Sequence, residues 1–420
     1  MATAMAGKPA SPAAYAQTSL AIANLRGVFI FILVSFHSSL AYLGSTAGPA
    51  QSFGRPPFVW LAFPIVDSHR FFGFDLYCAW EDVHVMALMF FLSGLFVPAS
   101  LRRKGAARFL TDRLLRLAPP FLFGVLLLAP IALYPVYHGL HPQAGVDEYL
   151  AAYRALPFLP NGPVWFLWLL LALSIVVGAV YALAPTTLDA LGGLAAGARR
   201  RPRRFVWTLA GAAALAYLPL AMTFGQFDWI ERGVLSFQLS RPLFYGVYFL
   251  AGAAVGAAGL GEGLLAPDGA LAAHPRRLAG FSALTLCAWM GLTGVALTFP
   301  AVAPMTLRAL CALAYVGASV AGVMLLMALA VRYLARPIPW LAPLSRNALG
   351  IYVLHYAPLV WMQYLLLDAD LPALVKSFLV FVVVLGLSLA AAAAMSRLGW
   401  LARLIGEDAR TGATAQPAKA

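Results

Sequence analysis

An arginine and a histidine lie inside the first apolar segment of the chain, where ionisable side chains are costly. Arg26 and His37 interrupt the segment 20–43, which carries no other charge. An ionised side chain at membrane depth costs at least ~2.5–3.5 kcal/mol, so a functional role is the default expectation. The spacing corresponds to about three helical turns, which places both side chains on one face, roughly 16 Å apart along the axis. A guanidinium and an imidazole so arranged suit an elongated ligand held across the bilayer.

The composition of the chain predicts a membrane protein. Of 420 residues, 62% are hydrophobic and 11% are charged, and the mean hydropathy is +0.82. Soluble proteins carry about 25% charged residues. The net charge of +13 is better explained by basic cytoplasmic loops than by nucleic-acid binding, and no nucleic-acid partner is expected.

Apolar windows predict an all-α polytopic protein with about ten transmembrane helices. The predicted spans are 20–43, 83–100, 117–137, 163–184, 205–223, 243–260, 278–298, 307–331, 347–367 and 373–396. Pro130 and Pro135 predict a kink or break at the outer end of the third span. Gly252, Gly256 and Gly259 make the sixth span suited to close helix packing.

Basic residues predict the orientation of these spans. If the N-terminus is cytoplasmic, most of the 29 Lys and Arg residues fall in the inner segments, so both termini are predicted to be cytoplasmic. The first apolar run is longer than a usual signal-peptide core and is expected to be an uncleaved helix. We predict a flexible tail over 1–19, one membrane domain over 20–404 and a disordered tail over 405–420.

The three cysteines do not predict a cofactor site. Cys78, Cys287 and Cys311 are odd in number and scattered. They show no spacing typical of a zinc site, and they do not form a disulfide framework. No metal site is predicted.

The basic segment between the second and third spans is a candidate anion site. Arg108, Arg113 and Arg116 recur at spacings that place the last two on one side of a helix. Guanidinium groups suit phosphate oxygens, such as those of coenzyme A. The neighbouring run Arg102–Lys104 is explained as a topology signal or a lipid-headgroup contact.

Two further histidines and two acids are weaker candidates. His355 lies in the ninth predicted span, where a packed core histidine is the alternative. His84 lies at the start of the second predicted span, and Glu81 and Asp82 just precede that span. One of these carboxylates could orient a histidine, as in acid–base pairs. As acids of an outer loop, Glu81 and Asp82 could instead bind sugar hydroxyls, or they could be solvated loop residues without a role.

Four segments follow one another along the chain: LRGVFIFILVSFHSSL (25–40), HVMALMFFLSGLFV (84–97), FLTDRLLRLAPPF (109–121) and LSRNALGIYVLHYAPLV (344–360). In this order they resemble the acyltransferase-3 family of membrane acyltransferases, especially its glucan biosynthesis protein C branch. The first fits the family's pattern of an arginine and a histidine separated by ten residues. The last is similar to its late segment with a tyrosine, a histidine and a proline.

The resemblance implies transfer of an acetyl or succinyl group from cytoplasmic acyl-coenzyme A to a hydroxyl of an extracytoplasmic glycan, such as a periplasmic glucan. It also implies a multi-pass protein of the bacterial inner membrane, with acyl-coenzyme A as donor substrate and no bound cofactor. In this scheme His37 is the base. Arg26 binds the donor, and Arg113, Arg116 and Arg108 contribute to binding of the coenzyme A phosphates.

A membrane transporter of a glycan or small solute is the alternative. Multiple helices and an intramembrane Arg/His pair are compatible with transport. The halves of the sequence show no repeat and no matched broken segments. Consumption of acyl-coenzyme A distinguishes the two hypotheses.

Overall fold

A computed structural model describes residues 12–46, 48–230, 237–299 and 304–407, and these residues form an all-helical bundle. The helices are α1 (Pro12–Ser39), α2 (Phe72–Leu95), α3 (Val97–Phe123), α4 (Ala129–Leu140), α5 (Val146–Arg154), α6 (Trp165–Leu183), α7 (Thr187–Ala195), α8 (Pro202–Phe224), α9 (Pro242–Ala258), α10 (Ala270–Ala273), α11 (Pro275–Thr298), α12 (Met305–Tyr333), α13 (Leu341–Arg346), α14 (Ala348–Leu354), α15 (Tyr356–Leu365), α16 (Ala373–Met395) and α17 (Gly399–Leu404). The predicted all-α class is confirmed.

Eight helical segments within the described ranges are long and apolar enough to cross a membrane. The predicted sixth span is the shorter helix α9, and the predicted ninth span is divided between α14 and α15. The protein is therefore polytopic, and the number of ten crossings remains a prediction.

The second helix begins earlier than hydropathy predicts. α2 starts at Phe72 instead of residue 83, so Glu81 and Asp82 lie within the helix. Their assignment to an outer loop was wrong. Asp82 pairs with a buried arginine, and a hydropathy window counts such a carboxylate as a break because it cannot recognise the partner.

The third predicted span has a different irregularity from the expected kink. α3 and α4 are joined by a π-helical turn, Gly124–Leu128, and Pro130 follows it in the first turn of α4. The N–H of Ala129 donates to the carbonyl of Gly124, so the wider π turn keeps the helix continuous up to Pro130, which has no N–H to donate. The helical rod thus continues to Leu140 despite its prolines.

Glycines let α2 and α9 approach backbone to backbone. A Cβ added at Gly252 would collide with the carbonyl oxygen of Phe91, and one at Gly256 would collide with that of Leu95. Gly94 faces Phe249 in the same way. The close packing predicted for the sixth span is confirmed.

The segments predicted to be cytoplasmic meet at one end of the bundle. The Thr18 hydroxyl donates to the carbonyl of Leu265, and Asn24 donates to that of Leu334. Arg102 pairs with Asp189 over 2.8 Å. Because α1 begins at Pro12, part of the predicted N-terminal tail is helical. Residues 1–11 and most of the predicted C-terminal tail, 408–420, lie outside the described residues.

The opposite end carries a cap of aromatic side chains. Phe53, Phe58, Trp60, Tyr149 and Phe158 form a small buried cluster with residues of α4 and α15. This cluster also contains Ala41 and Tyr42, which directly follow the C-terminal end of α1. It is separate from the main core, which extends along the helices.

Candidate active site

A cavity of about 790 Å³ opens beside the C-terminal half of α1. Its walls come from α1, α2, α6, α9, α11, α14 and α15 and from loops near the aromatic cap. The lining is mainly apolar with a few polar groups, which is the usual character of a small-molecule site. We call this space the central cavity.

His37 lines the central cavity with a defined tautomer. Its Nδ1 lies 2.9 Å from the carbonyl oxygen of Leu33, one turn earlier on α1. A carbonyl only accepts, so Nδ1 carries the proton and Nε2 keeps its lone pair. Gln363 donates to the backbone carbonyl of His37 over 3.0 Å and ties α15 to this turn. The imidazole is thereby arranged as a base toward the cavity.

His355 lies behind His37, away from the cavity lining. It connects α14 to α15 and is fully buried, and its ring centroid is 4.9 Å from that of His37. Its Nδ1 donates to the carbonyl of Tyr352 over 2.7 Å. Its Nε2 has no hydrogen-bond partner among the described residues. A buried polar atom without a partner calls for an explanation, and Nε2 of His84 is in the same state.

Arg26 lies on the same helix as His37, about three turns toward the other end. It is close enough to Arg116 of α3 for the two charges to repel each other, and Arg116 also repels Arg113. The arginine ion pairs identified between described residues involve Arg102, Arg108, Arg199 and Arg241. We call Arg26, Arg113 and Arg116 the arginine cluster. Three neighbouring guanidinium groups attract an anion.

Comparison with protein families matches residues 20–397 to one described as an acyltransferase domain. The match spans most of the chain and includes His37, the arginine cluster and His355.

The chain belongs to the acyltransferase-3 family. It is an acyltransferase that transfers groups other than amino-acyl groups. No curated protein and no solved structure gives a significant match.

The structure brings some predicted site residues of the acyltransferase together and separates others. His37 and His355 are in contact, and Arg26 is near Arg116. Arg108 is exposed and forms an ion pair with Asp112 at 3.3 Å, so its charge is partly neutralised by a neighbouring carboxylate.

His84 lies outside the cavity lining of the acyltransferase. Its ring packs on Gly322 of α12, where a Cβ would collide with it, and its Nδ1 donates to the carbonyl of Trp80 over 2.5 Å. Among the described residues, neither Glu81 nor Asp82 hydrogen-bonds to His84. A backbone carbonyl one turn away orients the ring of His84, and the hypothesis that one of these carboxylates orients a histidine stays a prediction.

Arg241 is the main cavity residue that sequence reasoning missed. It is 2% exposed, its Nη2 donates to Asp82 over 2.9 Å, and its Nη1 donates to the Tyr315 hydroxyl. The guanidinium also lies 4.6 Å from the Tyr315 ring centroid. The sequence signal was available: an arginine directly before a short apolar helix, with an acid inside another helix to neutralise it.

Proposed function

We propose that this acyltransferase moves an acetyl or succinyl group from cytoplasmic acyl-coenzyme A to a hydroxyl of an extracytoplasmic glycan, such as a periplasmic glucan. The membrane is the bacterial inner membrane. The observation that carries this proposal is the position of His37, a base with a free Nε2 that lines a cavity between the helices.

The reaction requires one base at the acceptor hydroxyl. Nε2 of His37 takes the hydroxyl proton as the acceptor oxygen attacks the thioester carbonyl carbon. The tetrahedral intermediate collapses with cleavage of the C–S bond. The proton on His37 then passes to the departing sulfur, which leaves coenzyme A as a thiol and the acceptor as an ester. No other reactant is needed.

The donor is held from the opposite end of α1. The arginine cluster offers planar donors that match the phosphate oxygens of coenzyme A. The axial separation of roughly 16 Å between Arg26 and His37 is one that the extended pantetheine arm can bridge. In this arrangement the phosphates stay at the cytoplasmic surface while the thioester reaches His37.

The acceptor enters from the side of the aromatic cap. The central cavity is lined there by loop residues 61–64 and by the segment around Trp229. The two substrates thus approach His37 from opposite membrane faces, which lets the protein modify an external glycan with a cytoplasmic donor.

The test uses inner-membrane vesicles that contain the full-length protein and radiolabelled acetyl- or succinyl-coenzyme A. Free coenzyme A and label in extracted glycans are measured for wild type, His37→Ala and Arg26→Ala at matched protein levels. We expect both signals in wild type with one donor, no transfer in His37→Ala and weak transfer in Arg26→Ala. Absence of coenzyme A release with folded wild-type protein and either donor would overturn the proposal and favour transport.

A further inference from the structure

Three carboxylates of α2 line the central cavity, and two of them are already engaged. Asp75 accepts from the backbone N–H groups of Gly44 and Ser45 over 2.7 and 2.9 Å. Asp82 accepts from Arg241. The third carboxylate belongs to Glu81, whose side chain also lines the cavity.

Glu81 differs from its neighbours because its carboxyl group has no partner. The residue is 3% exposed, and within the described part of the chain no group donates a hydrogen bond to it or pairs with it. A buried carboxyl without a protein partner depends on the contents of the cavity for its hydrogen bonds. A ligand hydroxyl in the cavity would supply the missing hydrogen bond.

Aromatic rings line the same cavity as this carboxyl. Trp165 of α6 and Tyr245 of α9 both line the central cavity, and their rings are stacked with centroids 5.7 Å apart. Aromatic faces pack against the C–H faces of sugars, while carboxyl oxygens bind sugar hydroxyls. Together they offer the two kinds of contact that a saccharide needs.

We propose that Glu81 binds the acceptor, with its carboxyl hydrogen-bonded to a saccharide hydroxyl adjacent to the one that is acylated. This inference rests on the proposed function and adds the acceptor-binding group to it. Glu81 on α2 and His37 on α1 line one cavity, so a saccharide bound in that cavity has access to both side chains. The Asp82–Arg241 pair leaves Glu81 as the available acid.

The first arm of the test is kinetic and uses the full-length protein in nanodiscs with the active donor. Cellotetraose and laminaritetraose serve as acceptors, and donor hydrolysis without acceptor is measured in parallel. We expect Glu81→Gln to raise the acceptor KM about tenfold and to leave donor hydrolysis within about twofold of wild type. Glu148→Gln, the same chemical change on exposed α5, is the matched control with wild-type kinetics.

The second arm measures chemical modification of the Glu81 carboxyl and does not depend on catalytic turnover. Dicyclohexylcarbodiimide modifies carboxyl groups in apolar surroundings, and the adduct on Glu81 is quantified by peptide mass spectrometry. We expect labelling of Glu81 in wild type, no adduct at that position in Glu81→Gln, and at least threefold protection by one of the two tetrasaccharides. The Asp82 carboxylate, held by Arg241, serves as an internal reference with weak labelling.

The outcomes separate the two proposals. An unchanged acceptor KM in Glu81→Gln, or parallel loss of transfer and donor hydrolysis in a folded variant, would overturn acceptor binding by Glu81. If wild type turns over no donor, the proposed function fails, and saccharide protection of Glu81 still decides whether the cavity binds a sugar. Labelling that neither saccharide reduces would contradict a carbohydrate acceptor at Glu81.

Discussion

The imidazole rings of His37 and His355 are in contact, with centroids 4.9 Å apart and planes inclined by 58°. His37 lines the central cavity, whereas His355 is fully buried behind it. Each ring donates Nδ1–H to a backbone carbonyl of its own segment. The backbone therefore sets both tautomers, and the ring of His355 packs against the proposed base, His37, on the side away from the cavity.

Replacement of His355 should slow turnover without abolishing it. His355→Phe keeps a ring behind His37 and removes its nitrogen atoms, so we expect kcat to fall about tenfold with little change in either KM. That loss is smaller than the ~10²–10⁴-fold loss typical of a general base, which we expect for His37→Ala. Steady-state coenzyme A release from purified protein measures both. Wild-type kcat in His355→Phe would show that His355 only fills space.

Neutralisation of the arginine cluster should weaken donor binding. Arg116→Gln removes a charge-assisted hydrogen bond worth about 1.5–3 kcal/mol, so KM for acyl-coenzyme A should rise at least tenfold. Acyl-pantetheine lacks the nucleotide phosphates, and its KM should change less than twofold. Arg203→Gln, an exposed arginine on α8, is the matched control. An equal KM increase for both donors would place Arg116 at the thioester instead of the phosphates.

Loss of Asp82 should destabilise the protein because Arg241 stays buried. Breaking one side of a fully buried pair costs about 3–5 kcal/mol, and replacing both sides costs less. Because the Asp82 side chain is 34% exposed, we expect a loss below that range. Asp82→Ala should lower the thermal unfolding midpoint in detergent, and Asp82→Ala with Arg241→Met should recover most of the loss. Equal midpoints for the single and double variants would mean that the charge of Arg241 is satisfied without Asp82.

Bulk at the α2–α9 contact should disrupt assembly of the bundle. Gly252→Leu places side-chain atoms where the carbonyl of Phe91 lies, and overpacking of this kind typically costs about 1–3 kcal/mol or more. Gly211→Leu on α8 has open space around its Cβ position and is the control. We expect reduced yield and a lower unfolding midpoint for Gly252→Leu alone. Similar behaviour of the two variants would refute backbone contact between α2 and α9.

The sequence predicted those features of the fold and site that depend on local periodicity. The Arg26–His37 spacing predicted one helix face, and the glycines of α9 predicted close packing. The contact between His37 and His355 joins residues on distant parts of the chain, so only a resemblance could suggest it. The start of α2 was missed because the ionic partner of Asp82 is a remote residue, Arg241.

The identity of the free carboxylate was also beyond the sequence. Asp75, Glu81 and Asp82 are similar acids within eight positions of one another. Only the fold shows that a loop backbone engages the first and Arg241 engages the last. Partner assignment across helices depends on tertiary packing, which hydropathy and spacing do not encode.

The most direct measurement is the rate of coenzyme A release by proteoliposomes in which His37 is intact or replaced by glutamine. Acyl-coenzyme A is supplied only on the side of the arginine cluster, and the saccharide acceptor only on the side of the aromatic cap. We predict acceptor-dependent release from wild type and a loss of at least ~10²-fold in His37→Gln at equal folded protein. Comparable release from both proteins would contradict a catalytic role for His37.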